Sequence, residues 1–109
     1  MSCLKQAIGF IQAEHDRDLS LEETANQVGL SKFYFEREFR KVTGYSFVFY
    51  VNTVRCERAK ALLSQSEQKT GVIGKVCGFS NPSYFISVFK KNTGFTPAEY
   101  RLNQREGQL

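Results

Sequence analysis

The side chains best suited to act on a partner are cations, amides and hydroxyls gathered in two short stretches. Lys32, Phe33, Glu36, Arg37, Arg40 and Lys41 are spaced to share one side of a helix, and Asn81, Pro82, Ser83, Ile86, Ser87, Lys90 and Lys91 take corresponding places later in the chain. An arginine can pair bidentately with guanine O6 and N7, a carboxylate can accept from cytosine N4, and an apolar group can pack on a thymine methyl. Lysines and arginines beside such a face neutralise phosphates and release their counterions. Bond-making chemistry has no comparable constellation. His15 is the only histidine and lies among Glu14, Asp16 and Asp18, where a solvated side chain is expected. Cys3, Cys56 and Cys77 are odd in number, widely spaced and never in a CxxC pair, which argues against a disulfide framework or a structural zinc site. They are expected to be small buried fillers. No enzyme activity, metal or cofactor is expected.

The two stretches belong to an internal repeat. Gly29 to Ser46 reads GLSKFYFEREFRKVTGYS and Gly78 to Thr96 reads GFSNPSYFISVFKKNTGFT, with one extra residue near the front of the second copy. Tyr34 then matches Tyr84, Phe35 matches Phe85, Phe39 matches Phe89, Lys41 matches Lys91, Thr43 matches Thr93 and Gly44 matches Gly94. A unit that occurs only twice does not make a solenoid, which needs three or more stacked copies. Two copies of one device suit a partner that is itself periodic, and duplex DNA is such a partner.

With 109 residues the chain is one domain or two small lobes sharing a connector. The longest apolar run, Phe47 to Val51, falls far short of the roughly 18 residues that span a bilayer. No membrane contact is expected and the cytoplasm, at the nucleoid, is the expected location. Net charge is +4, but residues 1 to 31 carry −3 and residues 32 to 109 carry +7. A basic body with an acidic amino-terminal corner is the footprint of a nucleic-acid binder.

The elements that must position these faces are all helical, because apolar residues recur at spacings of three and four and never alternate over a strand's length. Leu4, Ala7, Ile8 and Ile11 form the first stripe. Ser20 with Glu23 is a capping box that opens a second helix, in which Leu21, Ala25 and Val28 face inward. Gly29 suits a left-handed turn, and Ser31 caps a third helix with Phe35, Phe39 and Val42 as its buried face. Gly44 ends that helix and Ser46 caps the fourth, whose Phe47, Tyr50, Val51, Val54, Arg58, Ala59, Leu62 and Leu63 define one long face. A fifth helix from Thr70 to Cys77 contains Gly71 and Gly74, each costing about 1 kcal/mol of propensity. Asn81 and Pro82 start the sixth, and Thr96, Pro97 and Glu99 start the seventh. The tail after Arg105 is expected to fray.

The second helix, the turn at Gly29-Leu30 and the third helix make a helix-turn-helix, and the later copy makes another. The whole pattern resembles the AraC/XylS family of bacterial transcription regulators from about Leu4 to Arg101. The resemblance is carried by Leu21, Ala25, Gly29, Leu30, Ser31, Phe35, Phe39, Lys41 and Gly44, by the linker residues Phe47, Tyr50, Arg55, Ala59, Leu62 and Leu63, and most specifically by the GFS…SYF…FKK…G.TP.EYR stretch. It implies an all-α fold of seven helices with two homeodomain-like helix-turn-helix subdomains, 1–45 and 66–105, joined by a long linker helix at 46–65. It also implies sequence-specific binding of double-stranded DNA, transcription activation and RNA polymerase as a partner. The linker would extend roughly 28 Å, a reach suited to recognition helices in successive major grooves about 34 Å apart. Because the sequence opens at Met1-Ser2-Cys3 directly on the first helix, a carboxyl-terminal domain of a longer regulator is expected over a stand-alone activator, with an effector or receiver domain elsewhere in the full-length protein.

The family places Phe33, Glu36 and Arg37 at base-reading positions, with Arg40 and Lys41 better placed for phosphates. Glu36 has a second reading, an intrahelical ion pair to Arg40 four residues on. Phe33 is expected to be exposed, its angle on the helix being far from Phe35 and Phe39. In the later copy Ile86 and Ser87 stand where Glu36 and Arg37 stand, and the family often has arginine where Ser87 is. That copy is expected to hold phosphates through Lys90 and Lys91 and to read less sequence, with Ile86 either on a methyl group or packed on its neighbours. The alternative function is a helical protein-interaction module using the acidic corner or the Phe/Tyr-rich surface.

Overall fold

The computed structural model describes residues 2–16 and 19–105, with side chains from Leu4 onward. Seven helices occupy these residues: α1 Ser2–Glu14, α2 Leu21–Gln27, α3 Lys32–Thr43, α4 Phe47–Gln65, α5 Thr70–Val76, α6 Pro82–Thr93 and α7 Pro97–Arg105, with no strand among the described residues. The tail expected to fray after Arg105 and the side chain of Cys3 lie outside the described residues.

Four helix starts carry the capping bonds their sequence announces. Ser20 Oγ accepts from Glu23 N at 2.9 Å, Ser31 Oγ from Tyr34 N at 3.3 Å and Asn81 Oδ1 from Tyr84 N at 3.0 Å. At α7 the box is reciprocal: Thr96 N donates to Glu99 Oε1 at 2.9 Å and Glu99 N to Thr96 Oγ1 at 3.1 Å. Helix α5 begins at Lys69 with no side-chain cap.

The chain divides into two compact units, residues 1–54 and 55–109, and the division falls inside α4. In the first unit Leu4, Ala7, Ile11, Ala25, Phe35, Phe39, Phe47 and Val51 form one core. In the second, Cys56, Ala59, Leu63, Ile73, Cys77, Phe79, Phe85 and Phe89 form another. Helix α4 thus supplies Phe47 and Val51 to one core and Cys56, Ala59 and Leu63 to the other, while Arg58 on the same expected face is exposed. A charged side chain cannot be buried unpaired, so the apolar stripe of α4 runs past Arg58 rather than through it.

The two cores repeat one packing scheme. Phe35 and Phe39 lie 5.5 Å apart by ring centroid and Phe85 and Phe89 5.8 Å. Tyr50 meets the edge of Phe39 at 5.4 Å, as Tyr100 meets Phe89 at 5.5 Å. Edge-to-face pairs of this kind suit the ring quadrupole. Val42, expected on the buried face of α3, is instead 55% exposed. It stands three residues beyond Phe39, in the last turn of the helix before the chain turns at Gly44.

Candidate nucleic-acid interface

The turn between α2 and α3 is closed by backbone bonds: Gly29 N donates to Asn26 O at 3.1 Å and Leu30 N to Ala25 O at 2.9 Å. In the second unit Gly78 N donates to Lys75 O at 3.1 Å and Phe79 N to Gly74 O at 2.9 Å. This paired-bond ending needs a left-handed residue, and Gly29 and Gly78 supply it with φ of 75° and 105°. The next helix is therefore launched in the same way in both units.

The far ends of α3 and α6 are also fastened alike. Thr43 Oγ1 donates to Phe39 O at 2.7 Å and accepts from Tyr45 N at 3.1 Å. Thr93 Oγ1 donates to Phe89 O at 2.8 Å and accepts from Phe95 N at 3.1 Å. Behind α6, Arg101 donates from Nε to Leu63 O and from a terminal nitrogen to Ser66 O, both at 3.1 Å. A cation there satisfies the orphan carbonyls at the end of α4 and complements its dipole.

With Phe35 and Phe39 turned inward, α3 exposes Lys32, Phe33, Arg37, Arg40 and Lys41, and half-buries Glu36. Phe33 is 77% exposed, beside Lys32 Nζ at 5.3 Å from its ring centroid. The Glu36 carboxylate lies 3.6 Å from an Arg40 nitrogen, the intrahelical ion pair that the spacing allows. The guanidinium of Arg37 sits over the ring of Tyr34, 5.5 Å from its centroid. On α6 and at its cap, Asn81, Pro82, Ser83, Ile86, Ser87, Lys90 and Lys91 are all exposed. Ile86 is 46% exposed, so packing on its neighbours covers only part of it.

Tyr34 and Tyr84, matched in the two copies, are also on the surface, 44% and 46% exposed. The signal was present in the spacing, since each immediately precedes the buried Phe35 or Phe85 and cannot share its direction on a helix.

Other candidate chemistry does not assemble. His15 sits at the end of α1 with Nδ1 2.9 Å from Gln12 O, and no metal-ligating cluster occurs among the described residues. Cys56 and Cys77 are buried and form no disulfide, as expected of fillers. Burial pushes the Cys56 thiol up to about 12. No helix among the described residues is long and apolar enough to cross a membrane.

Two helix-turn-helix units, each presenting an exposed polar and basic helix face, define a DNA-binding class of module. A helix-turn-helix domain family matches residues 24–103. The chain is 39% identical over 105 residues to the regulatory protein PocR of Salmonella typhimurium, covering 96% of this chain and 35% of PocR. It is 37% identical over 92 residues to the bifunctional transcriptional activator/DNA repair enzyme AdaA of Bacillus subtilis, covering 84% of this chain and 44% of AdaA. Among solved structures, the C-terminal domain of AraT, a response regulator from Geobacillus stearothermophilus, superposes with a TM-score of 0.91 at 30% identity, covering 94% of this chain and 86% of that one. The DNA-binding domain of AdpA, a global transcriptional factor solved with a target DNA, does so with a TM-score of 0.91 at 26% identity, covering 96% and 95%. The chain belongs to the AraC/XylS family of DNA-binding transcription regulators. It spans about a third of PocR and under half of AdaA.

Proposed function

We propose that this chain binds double-stranded DNA sequence-specifically by inserting α3 and α6 into successive major grooves, and that it serves transcription activation with RNA polymerase as a partner. Phe33, Glu36 and Arg37 read bases, while Arg40 and Lys41 hold phosphates. On the second helix Lys90 and Lys91 hold phosphates, and Asn81, Pro82, Ser83, Ile86 and Ser87 make the shorter contacts. An effector or receiver domain belongs to the full-length protein.

One observation carries this reading. The two units share their turn bonds, Thr fastenings and buried Phe pairs, and they differ where α3 and α6 face solvent, Glu36-Arg37 against Ile86-Ser87. Two readers of different half-sites would keep a common scaffold and differ on the faces that they present to the bases. Selection of duplexes from a random pool tests it, followed by salt titration on selected and random DNA. Two unlike half-sites one helical turn apart and a steep loss of affinity with salt are expected. Absence of binding to any duplex at low salt would refute it.

A second reading, a protein-interaction module, is favoured by the exposed Val42, Tyr45, Val48 and Phe49, the last three 51%, 59% and 48% exposed. Tyr45 and Phe49 stack at 5.0 Å. Their counterparts in the second copy are Asn92, Phe95, Ala98 and Glu99, so the fold does not require an apolar surface there.

A further inference from the structure

We infer that Tyr34 is a positioning residue for Arg37: its exposed ring holds the guanidinium in place on α3 before DNA arrives, and so sharpens base discrimination by the first unit. The inference rests on the reading of Arg37 as a base-contacting arm.

Tyr34 precedes Arg37 by three residues, which places the two on neighbouring turns of one helix face. The guanidinium carbon lies 5.5 Å from the ring centroid, within the range over which an arginine is attracted to an aromatic face. Both groups are on the surface, and Tyr34 stands outside the first core, which closes through Phe35, Phe39, Phe47 and Tyr50 without it. The ring is therefore not explained by packing.

The second copy supplies an internal comparison. Tyr84 has the same place on α6, where a serine, Ser87, stands three residues on in place of an arginine. The Tyr84 ring lies 6.1 Å from Phe79, whose place in the first copy is taken by Leu30. The two tyrosines thus share a place on their helices and differ in the residue three positions on, a long reading arm on α3 and a serine on α6.

The physical gain is preorganisation. A free arginine side chain loses much of its rotamer freedom when it forms a fixed bidentate pair. A ring that already confines the guanidinium bears part of that loss before binding, so affinity for the correct base rises without a new contact to DNA. Binding to random duplex, where Arg37 makes no fixed pair, gains nothing.

The test is a cycle on this chain with a duplex it selects from a random pool and with random duplex. The variants are Tyr34→Leu, Tyr34→Phe, Arg37→Ala and the double variant Tyr34→Leu/Arg37→Ala. Tyr34→Leu is expected to weaken the selected duplex about threefold, the size of an exposed cation–π contact, and to leave random duplex unchanged. Tyr34→Phe keeps the ring and is expected to restore binding, and Tyr34→Leu is expected to add no loss when Arg37 is already alanine. An equal loss from Tyr34→Leu with and without Arg37, or a loss from Tyr34→Phe as large as that from Tyr34→Leu, overturns the inference while leaving Arg37 as a reader. No loss of discrimination from Arg37→Ala itself overturns both the inference and the reading beneath it. Unchanged random-duplex binding also reports that each variant is folded.

Discussion

The ring of Phe85 occupies the space that a side chain on Gly74 would need: an added Cβ would meet Phe85 Cδ2 at 2.5 Å. At the matching place in the first unit Ala25 is fully buried against the same kind of helix pair. The two units therefore close their helix-turn-helix at different distances, one with room for a methyl group and the other without.

Gly74→Ala is expected to destabilise the second unit despite alanine's better helix propensity of about 1 kcal/mol. The close contact falls on a ring buried to 2% exposure, and overpacking of this kind costs typically 1–3 kcal/mol. Gly71, in the same helix, has nothing within 4 Å of its added Cβ. Gly71→Ala is expected to stabilise, by up to about 1 kcal/mol. Thermal unfolding of the two variants checks both signs, and a stabilised Gly74→Ala would mean that the helices separate at no cost.

Arg37→Ala and Lys90→Ala should fail differently. Loss of Arg37 is expected to cost about 1–3 kcal/mol on the selected duplex and little on random DNA. Loss of Lys90 should weaken both duplexes alike and reduce the salt slope by about 1. Equal losses on both duplexes for Arg37→Ala would remove it from the base-reading set.

Glu36 faces a choice between Arg40 and a base. Its ion pair at 3.6 Å joins side chains 63% and 33% exposed for Arg40 and Glu36, so the pair contributes only about 0.3–0.5 kcal/mol. On the proposed reading, phosphates would compete for Arg40 when DNA binds, and the carboxylate would then be released to accept from a base. Glu36→Gln is expected to bind random duplex more tightly and to change the selected base at one position. If the sequence selected by Glu36→Gln matches that of the unaltered chain, Glu36 is only an ion-pair partner.

The α7 capping box gives stability a pH dependence. The Thr96 backbone N–H bonded to Glu99 holds its carboxyl below the ordinary value of 4.5, with the Thr96 hydroxyl and Lys90 adding to the same effect. The folded state thus favours the charged form. Its contribution is complete above the unfolded value and is lost as pH falls through the lower folded value. Glu99→Ala should lower the unfolding temperature at neutral pH, and the gap should narrow in acid. A gap independent of pH would show that the carboxylate charge is not involved.

Cys56 should resist alkylation in the folded protein at pH 8. Burial is the main reason its thiol is pushed up to about 12, with Cys77 and Glu57 adding to it and Lys60 opposing, and the thiolate is the reactive form. Mass spectrometry after iodoacetamide treatment should find Cys56 modified only when denaturant is present. Rapid modification in native buffer would mean that the second core opens readily.

The sequence by itself determined the elements and their ends. Ser20, Ser31, Asn81 and Thr96 are short polar side chains whose bonds reach only to backbone three residues away, so local spacing suffices to predict them. The buried Phe35, Phe39, Phe85 and Phe89, and the exposure of Phe33, likewise followed from angles around a single helix. Other features depend on neighbours distant in the chain. Val42 has the right period for burial, yet it is 55% exposed. Gly74, like Ala25, stands four residues before its turn, where a larger side chain is expected to hold the helices apart, but that the group against it is the Phe85 ring is set by packing. The repeat gives Tyr34 no role, and the guanidinium of Arg37 over its ring is seen only once the side chains are placed. Burial is a property of what packs on a residue, and a repeat that conserves residue type does not fix that.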